Sequence, residues 1–471
     1  MAIEATSLDR ERDQQRRWRL RPRFANETIF DELVHNEFRD PAEVLQGQAA
    51  AVDRIMLFAS GNVPHYQALF EKLGLQPRTG GGLAQLRLLP VLSKFDVLNN
   101  EKALCATALP ANEKIHSWFY SSGTTGRTVR VLHTRRSNLY FNYIAQRQFR
   151  WFRWDPQGTR AEIRTYSLLP PQPDGRKQRP GAACRHEAWR FAGHFFETGP
   201  QVGLCVTNPV KRQLDWLLEV KPDYLTANAS VIDRLAWFAE ARNVPASLSG
   251  IHAISEQMTA PMRQRVARCF GATVDENYGL NEIGIVALRC AAGRYHVNSE
   301  HCLVEILDED GQLCPPGSVG RVVITGLNNF AMPMLRYESG DLAMAVTGEC
   351  RCGRSLPAFG ELVGRYRRLA GLPDDTLSKI IAIKFAIRDV PVDVGDRLRE
   401  YQIHQRLDQS YDLLIHVEGG PLPKEYTDWF QENWHEQFGQ DAPKLKLLEV
   451  DEIPSSPSGK PLEFVSEFAP Q

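Results

Sequence analysis

Six consecutive residues, Ser121-Ser122-Gly123-Thr124-Thr125-Gly126, combine four hydroxyls with two glycines. Such a loop offers hydroxyl donors and exposed backbone N–H groups to an anion, and glycine lets the backbone come close. The chemistry it suits is phosphate binding. The common phosphate loop needs a lysine directly after its distal glycine. Here Arg127, Thr128 and Val129 follow Gly126, so that reading fails on spacing. Four more short motifs come later, in order. Asn277-Tyr278-Gly279-Leu280-Asn281-Glu282 places an aromatic, a glycine and a carboxylate at a predicted strand-to-helix turn. Arg336-Tyr337-Glu338-Ser339-Gly340-Asp341 puts an acid after a glycine turn. Gly364-Arg365 stands at a predicted domain boundary. Pro454-Ser455-Ser456-Pro457-Ser458-Gly459-Lys460 ends in a lysine held in a loop.

A second constellation has the donors of a metal site. Cys290 and His296 are separated by five residues, and Cys350 and Cys352 flank Arg351. Three thiolates and one imidazole make a closed, tetrahedral zinc site of the structural type. The spacing is not that of a standard zinc finger. His301-Cys302 is a competing pair, and buried apolar cysteines with a surface histidine are the plain alternative. A zinc hydrolase is disfavoured, because four protein ligands leave no coordination position for water.

The elements that must position these groups can be read from periodicity. Residues 41–58 carry Val44, Leu45, Ala49, Val52, Ile55 and Met56 at helical spacing. Leu86 to Leu92 reads as a short strand or approach segment. The run Trp118-Phe119-Tyr120 suits a strand entering the glycine–hydroxyl loop, and a helix is predicted from Ser137 to Trp151. Residues 169–189, rich in Pro, Gly and Arg, read as a surface loop or lid. Short apolar runs at 202–206, 224–226 and 250–254 alternate with helices at 230–241 and 261–270. That alternation implies a parallel sheet flanked by helices. From about residue 285 the texture becomes β-rich. A final α+β unit begins near 366, with strands at 401–405, 411–418 and 445–450 and a helix at 424–438. The fold class is therefore α/β: a large N-terminal domain with helix-flanked sheets and a β-rich subdomain, plus a small mobile α+β C-terminal domain. The predicted boundaries are an arginine-rich arm over 1–40, an N-terminal domain over 41–364 with its zinc-bearing part at about 285–360, and a C-terminal domain over 365–471.

Composition narrows the class of function. The 471 residues are 43% hydrophobic and 24% charged, an ordinary globular balance. With 56 basic and 57 acidic residues the net charge is −1, which argues against a nucleic-acid binder working by bulk charge. No apolar run approaches the ~20 residues of a membrane span. Arg10 to Arg23 lacks the apolar core of a secretory signal and reads as a solvated arm. The nine cysteines have no secretory context, which fits a reduced cytoplasmic setting.

Taken together, the five motifs resemble the adenylate-forming superfamily of acyl-CoA synthetases, adenylation domains and luciferases, and within it the phenylacetate–CoA ligase branch. The resemblance runs from roughly residue 40 to 465. It implies that a carboxylic acid, aryl or similarly small, attacks the α-phosphate of ATP to give an acyl-adenylate and pyrophosphate. The acyl group then passes to coenzyme A, or to an amine or carrier-protein thiol. It also implies the roles. Ser121–Gly126 would hold the β- and γ-phosphates, Glu282 would bind Mg²⁺, and Tyr278 would lie against adenine, with Asn277 and Gly279 also binding the nucleotide. Asp341 would accept from the ribose hydroxyls with Arg365 beside it, and Lys460 would bridge the carboxylate and the α-phosphate. Members of the branch carry a zinc site with a similar Cys/His arrangement, and a homodimer is compatible with the branch. Phe195, Phe196, Trp216 and Trp237 are candidates to line an aryl pocket, though such residues are more often core. Three departures stand out. The family's usual Ser-Asp-Asp after Arg365, whose aspartate serves as hinge, is Tyr366-Arg367-Arg368 here. Thr128 replaces a proline after the phosphate loop. Ser255-Glu256 stands where Gly-Glu is usual near the nucleotide. The first leaves transfer to the acceptor open, and a nucleotide-binding homologue without turnover is the non-enzymatic alternative.

Overall fold

The computed structural model describes residues 18–24, 28–120, 129–165, 168–169, 171–172, 175–176, 178–365, 397–417, 419–438, 442–453 and 464–467. The Ser121–Gly126 loop, Tyr366-Arg367-Arg368 and Lys460 lie outside the described residues.

The central element is a nine-stranded sheet ordered β14-β10-β9-β8-β7-β6-β3-β5-β4. Its middle is parallel: β3 (Arg160–Arg164), β5 (Gln201–Cys205), β6 (Tyr224–Asn228), β7 (Gly250–Ile254) and β8 (Val274–Leu280). Antiparallel strands finish both margins. On one side is β4 (Ala183–His186). On the other are β9 (Gly284–Arg289), β10 (Tyr295–Val297) and β14 (Ala358–Phe359). Strands covered on both faces must be apolar throughout. Accordingly Leu225, Ala227, Ile251 and Ala253 are all buried, packed with the helices Val210–Val220, Ala229–Ala241 and Ala260–Phe270. A second core sets the Arg135–Trp151 helix, through Tyr143, Ile144 and Phe149, against Trp154, Trp189 and Phe196.

Three smaller sheets complete the fold. A hairpin of β1 (Ile115–Tyr120) and β2 (Arg130–Thr134) flanks the glycine–hydroxyl loop. A four-stranded antiparallel sheet orders β11 (Cys302–Leu307), β12 (Val319–Gly326), β13 (Tyr337–Met344) and β15 (Leu362–Arg365). Near the C-terminus β16 (Leu398–Gln405), β17 (Tyr411–Val417), β18 (Leu445–Glu449) and β19 (Phe464–Ser466) form a mixed sheet. Phe430 and Trp434 of the Lys424–Phe438 helix bury against its Tyr411, Leu413 and Ile415. No described helix is long and apolar enough to cross a membrane.

Several sequence expectations are corrected. The segment read as a solvated arm is packed from Trp18 onward, with Trp18 only 5% exposed against Phe149, Trp189 and Phe196. One apolar ring outweighs the arginines around it. The Leu86–Leu92 segment holds the end of a short helix, Gly82–Leu86, and makes one parallel bridge, Leu92 to Tyr337. Part of the 169–189 insert becomes the edge strand β4. The Asn277–Glu282 motif spans a strand-to-strand hairpin between β8 and β9. Asp341 lies inside β13 rather than just after a turn.

Glu37, fully buried, joins distant parts of the chain. Its carboxylate pairs with Arg147 at 3.3 Å, Arg150 at 3.2 Å and Arg354 at 3.3 Å. Its backbone carbonyl accepts from Ser355 N at 2.9 Å. Arg147 also reaches Glu300 at 3.2 Å, so the buried cations are answered by two carboxylates. An unpaired charge at this depth would be costly, and the pairing is what makes it tolerable.

Candidate functional site

The hairpin between β8 and β9 is tight. A Cβ on Gly279 would come within 2.8 Å of the Gly284 carbonyl, and Gly284 itself has φ +112°. Small residues at both points let Asn281, Glu282 and Ile283 form the apex. Asn281 Nδ2 donates to the Tyr120 carbonyl at 2.6 Å. Tyr120 is the last residue before the glycine–hydroxyl loop, so the apex stands at the loop's entry.

Two buried histidines hold the apex from either side of Glu282. His133 Nε2 lies 3.1 Å from the Asn281 carbonyl, and His301 Nε2 lies 2.8 Å from the Ile283 carbonyl. A carbonyl can only accept, so each Nε2 carries the proton. His133 Nδ1 is then the acceptor for the Ser137 hydroxyl, at 2.9 Å. Burial pushes both imidazoles down to about 4, so both are neutral near pH 7.

Glu282 and Asp341 each meet a tyrosine hydroxyl, while Glu338 pairs with Arg321. Tyr337 donates to Glu282 at 3.1 Å, and Tyr278 donates to Asp341 at 2.8 Å. Asp341 is opposite Arg365 in the β13–β15 register. Asn277 Nδ2 donates to Gln148 Oε1 at 2.7 Å, which ties the start of the motif to the Arg135–Trp151 helix. The structure thus brings together Asn277, Tyr278, Gly279, Glu282, Asp341 and the backbone of Arg365, beside the entry to the loop. Glu256 is engaged elsewhere. It accepts from Asn228 Nδ2 at 3.2 Å and Ser230 N at 2.9 Å, so it caps the Ala229–Ala241 helix. Ser255 keeps φ +65°, the left-handed conformation that a glycine adopts more cheaply.

The second constellation also converges. The ligand atoms of Cys290, His296, Cys350 and Cys352 all lie within 4.8 Å of one another. Cys290 Sγ and Cys350 Sγ are 3.7 Å apart, close to the ~3.8 Å that two sulfurs take around a tetrahedral zinc at ~2.3 Å. Cys352 Sγ lies 3.3 Å from His296 Nε2. His296 Nδ1 is 3.0 Å from the Leu356 carbonyl, which fixes the tautomer and leaves Nε2 as the donor atom facing the thiols. The cluster sits at the β9–β10–β14 margin of the large sheet rather than in the small sheet that bears Asp341. His301 and Cys302 are not part of it: Cys302 Sγ donates to the Val286 carbonyl. Of the two Cys/His pairs, the geometry gathers Cys290 and His296 with Cys350 and Cys352.

Of the proposed pocket aromatics, Phe195 lines a cavity outside the hairpin, Phe196 is wholly buried, and Trp216 belongs to the core under the parallel strands. Sequence reasoning missed Tyr337 and His133. Tyr337 was visible inside its motif, but nothing local tells which carboxylate its hydroxyl will meet.

No family model matches the chain. It is 29% identical over 345 residues to a phenylacetate–coenzyme A ligase of Thermus thermophilus, covering 69% of this chain and 71% of the relative. It is 25% identical over 405 residues to the phenylacetate–coenzyme A ligase of Escherichia coli, covering 82% and 84%. A solved 2-hydroxyisobutyryl-CoA ligase in complex with its acyl-AMP, in the postadenylation state, matches at a TM-score of 0.68 with 17% identity over 92% of each chain. The mixed α/β fold is that of acyl-CoA ligases. The chain is a distant homologue, at 25–29% identity, of the phenylacetate–coenzyme A ligases, which are adenylate-forming CoA ligases.

Proposed function

We propose that the protein is an ATP-dependent acid–coenzyme A ligase that works through an acyl-adenylate. The observation that carries the reading is the set of groups gathered at the loop's entry: Tyr278 with Asp341, Tyr337 with Glu282, and Asn281 on the Tyr120 carbonyl. In this reading the Ser121–Gly126 loop holds the pyrophosphate end of ATP. Asn277, Tyr278 and Gly279 present a flat face to adenine. Asp341 accepts from the ribose, and Arg365 is placed opposite by strand register. Glu282 supplies the hard oxygen that Mg²⁺ prefers, and the ion neutralises phosphate charge. Lys460 comes from the C-terminal domain, residues 365–471, whose movement completes the site. Its ammonium stabilises charge developing between carboxylate and α-phosphate, worth ~3 kcal/mol for one well-placed group.

Cys290, His296, Cys350 and Cys352 fit a structural zinc. Three thiols and an imidazole are a soft closed set, and the Leu356 carbonyl already orients the ring. The metal would join the β9–β10 turn to the loop that leads into β14.

Pyrophosphate exchange across a panel of small carboxylic acids tests the first step. Mass spectrometry of the products, with and without coenzyme A, tests the second. Exchange with at least one acid and a coenzyme A thioester are expected; ATP binding without exchange for any acid would favour a non-catalytic homologue. The residues Tyr366-Arg367-Arg368, in place of the family's hinge acid, favour one other outcome. There the adenylate forms and the acyl group goes to an amine or a carrier-protein thiol, so no thioester of coenzyme A appears.

A further inference from the structure

The β1–β2 hairpin and the β8–β9 hairpin are joined through Asn281. Its Nδ2 donates to the Tyr120 carbonyl at 2.6 Å, on the incoming leg of β1–β2. Its own carbonyl accepts from His133 Nε2 at 3.1 Å, on the outgoing leg. The two legs are paired with each other as well, Tyr120 opposite Arg130 and Ser117 opposite His133. One residue is thus held by its side chain and by its main chain, from two strands whose spacing is already fixed.

The His133 end of this clamp is itself anchored. Nδ1 accepts from the Ser137 hydroxyl at 2.9 Å, and the ring lies 4.6 Å from that of Phe119, so the imidazole cannot turn without losing both. The backbone on either side is tied to Asn329. Thr134 N donates to Asn329 Oδ1 at 3.2 Å, and Asn329 Nδ2 donates to the Leu132 carbonyl at 3.0 Å. The effect reaches the next residue along the apex. A peptide group is planar, so fixing the Asn281 carbonyl also fixes the amide nitrogen of Glu282. Glu282 is then directed from its backbone by His133 and at its carboxylate by the Tyr337 hydroxyl, 3.1 Å away.

We propose that His133 is a positioning residue for the divalent cation that accompanies ATP. It acts through the Asn281 peptide, setting where Glu282 presents its oxygen, and not by contact with the ion. The proposal rests on the reading of Glu282 as the Mg²⁺ ligand. Magnesium holds its oxygens at about 2.1 Å in a strict octahedron, so a small displacement of the carboxylate makes it a poorer ligand. A histidine that only filled space would affect the fold and not the metal-bound state in particular.

Calorimetric titration of the full chain with ATP, in excess Mg²⁺ and again in EDTA, tests it. Wild type should bind ATP about tenfold tighter with Mg²⁺ than without. His133→Leu should lose about fivefold of that gain, the scale of one hydrogen bond, with the affinity in EDTA unchanged. His133→Gln should keep the gain, because an amide supplies both a donor for the Asn281 carbonyl and an acceptor for Ser137. Rescue by Gln and a loss confined to the Mg²⁺ arm are results that a space-filling ring would not give. Ser137→Ala removes the bond that orients the ring and leaves Asn281 intact. It should lose about threefold of the gain, and it carries the test if His133→Leu does not fold; a full gain there overturns the proposal. Glu282→Gln separates the proposal from the reading beneath it. If Glu282→Gln keeps the Mg²⁺ gain, or wild type has none, both fall. If Glu282→Gln loses the gain while His133→Leu keeps it, or His133→Leu weakens ATP equally in both arms, the positioning role alone is overturned.

Discussion

The Cys290–His296–Cys350–Cys352 cluster and the β8–β9 hairpin share one sheet margin, yet they are prepared in different ways. At the cluster, donors face one another, with the Leu356 carbonyl and the Trp151 ring behind His296 and the Arg354 guanidinium beside Cys352. At the hairpin, the carboxylates are turned toward tyrosine hydroxyls, and two neutral histidines grip the peptide groups on either side of Glu282. The first arrangement suits an occupant that stays. The second suits occupants that arrive and leave, because a neutral O–H–carboxylate bond exchanges for a cation or a ribose at small cost.

The largest effect that would break this comparison is at the cluster. Cys350→Ser should strip the metal and lower the unfolding free energy by about 4 kcal/mol or more, the range reserved for loss of a structural metal. Elemental analysis with denaturant unfolding checks it; equal stability and equal zinc would remove the structural role. At the hairpin the ranking of stability against activity should invert. Glu282→Gln should cut pyrophosphate exchange about 10²- to 10³-fold, as for loss of one preorganised electrostatic group, with stability nearly unchanged.

Acid comes next. His133 and His301 are held neutral with values near 4, whereas an unfolded histidine takes up its proton near 6.5. Between those limits the unfolded chain binds more protons, so stability is full above about pH 6.5 and falls as pH drops toward 4. The loss should be about 2 kcal/mol per histidine between pH 7 and 5. His133→Gln should remove one share of that acid limb in denaturant titrations at both pH values. An identical slope would mean that His133 is not the buried neutral group described.

The smallest effect sharpens the hairpin itself. Tyr278→Phe takes one hydroxyl from Asp341, a contact worth about 1.5 kcal/mol to a charged acceptor. Roughly tenfold weaker ATP binding is expected, read as a raised KM with kcat little changed; a fall in kcat alone would contradict a binding role for the pair.

Much of this site was legible because its parts are contiguous motifs. Asn277 to Glu282 and Arg336 to Asp341 announce themselves, and Cys350 and Cys352 are two residues apart. What failed was geometry that needs a partner from elsewhere. Ile285-Val286-Ala287-Leu288 is apolar throughout, and a short run of that kind reads equally as helix or buried strand. Only the tight hairpin at Gly279 and Gly284 decides for strand. His133 showed no pattern, since its partner carbonyl at Asn281 is 148 positions away. Trp18 was hidden by the arginines around it, because charge density describes a segment while burial is decided by one ring.

Glu37 has a consequence for how the chain is made. Its carboxylate waits for Arg354, 317 positions later, and its backbone for Ser355. A ribosome adding about 5–20 residues per second delivers those groups tens of seconds after Glu37 has emerged. Until then Glu37, the residue that follows the helix Ile29–Asn36, lacks its partners from that later loop. The Ile29–Asn36 helix is therefore made well before the Arg354–Ser355 loop whose pairing fixes Glu37 beside its end.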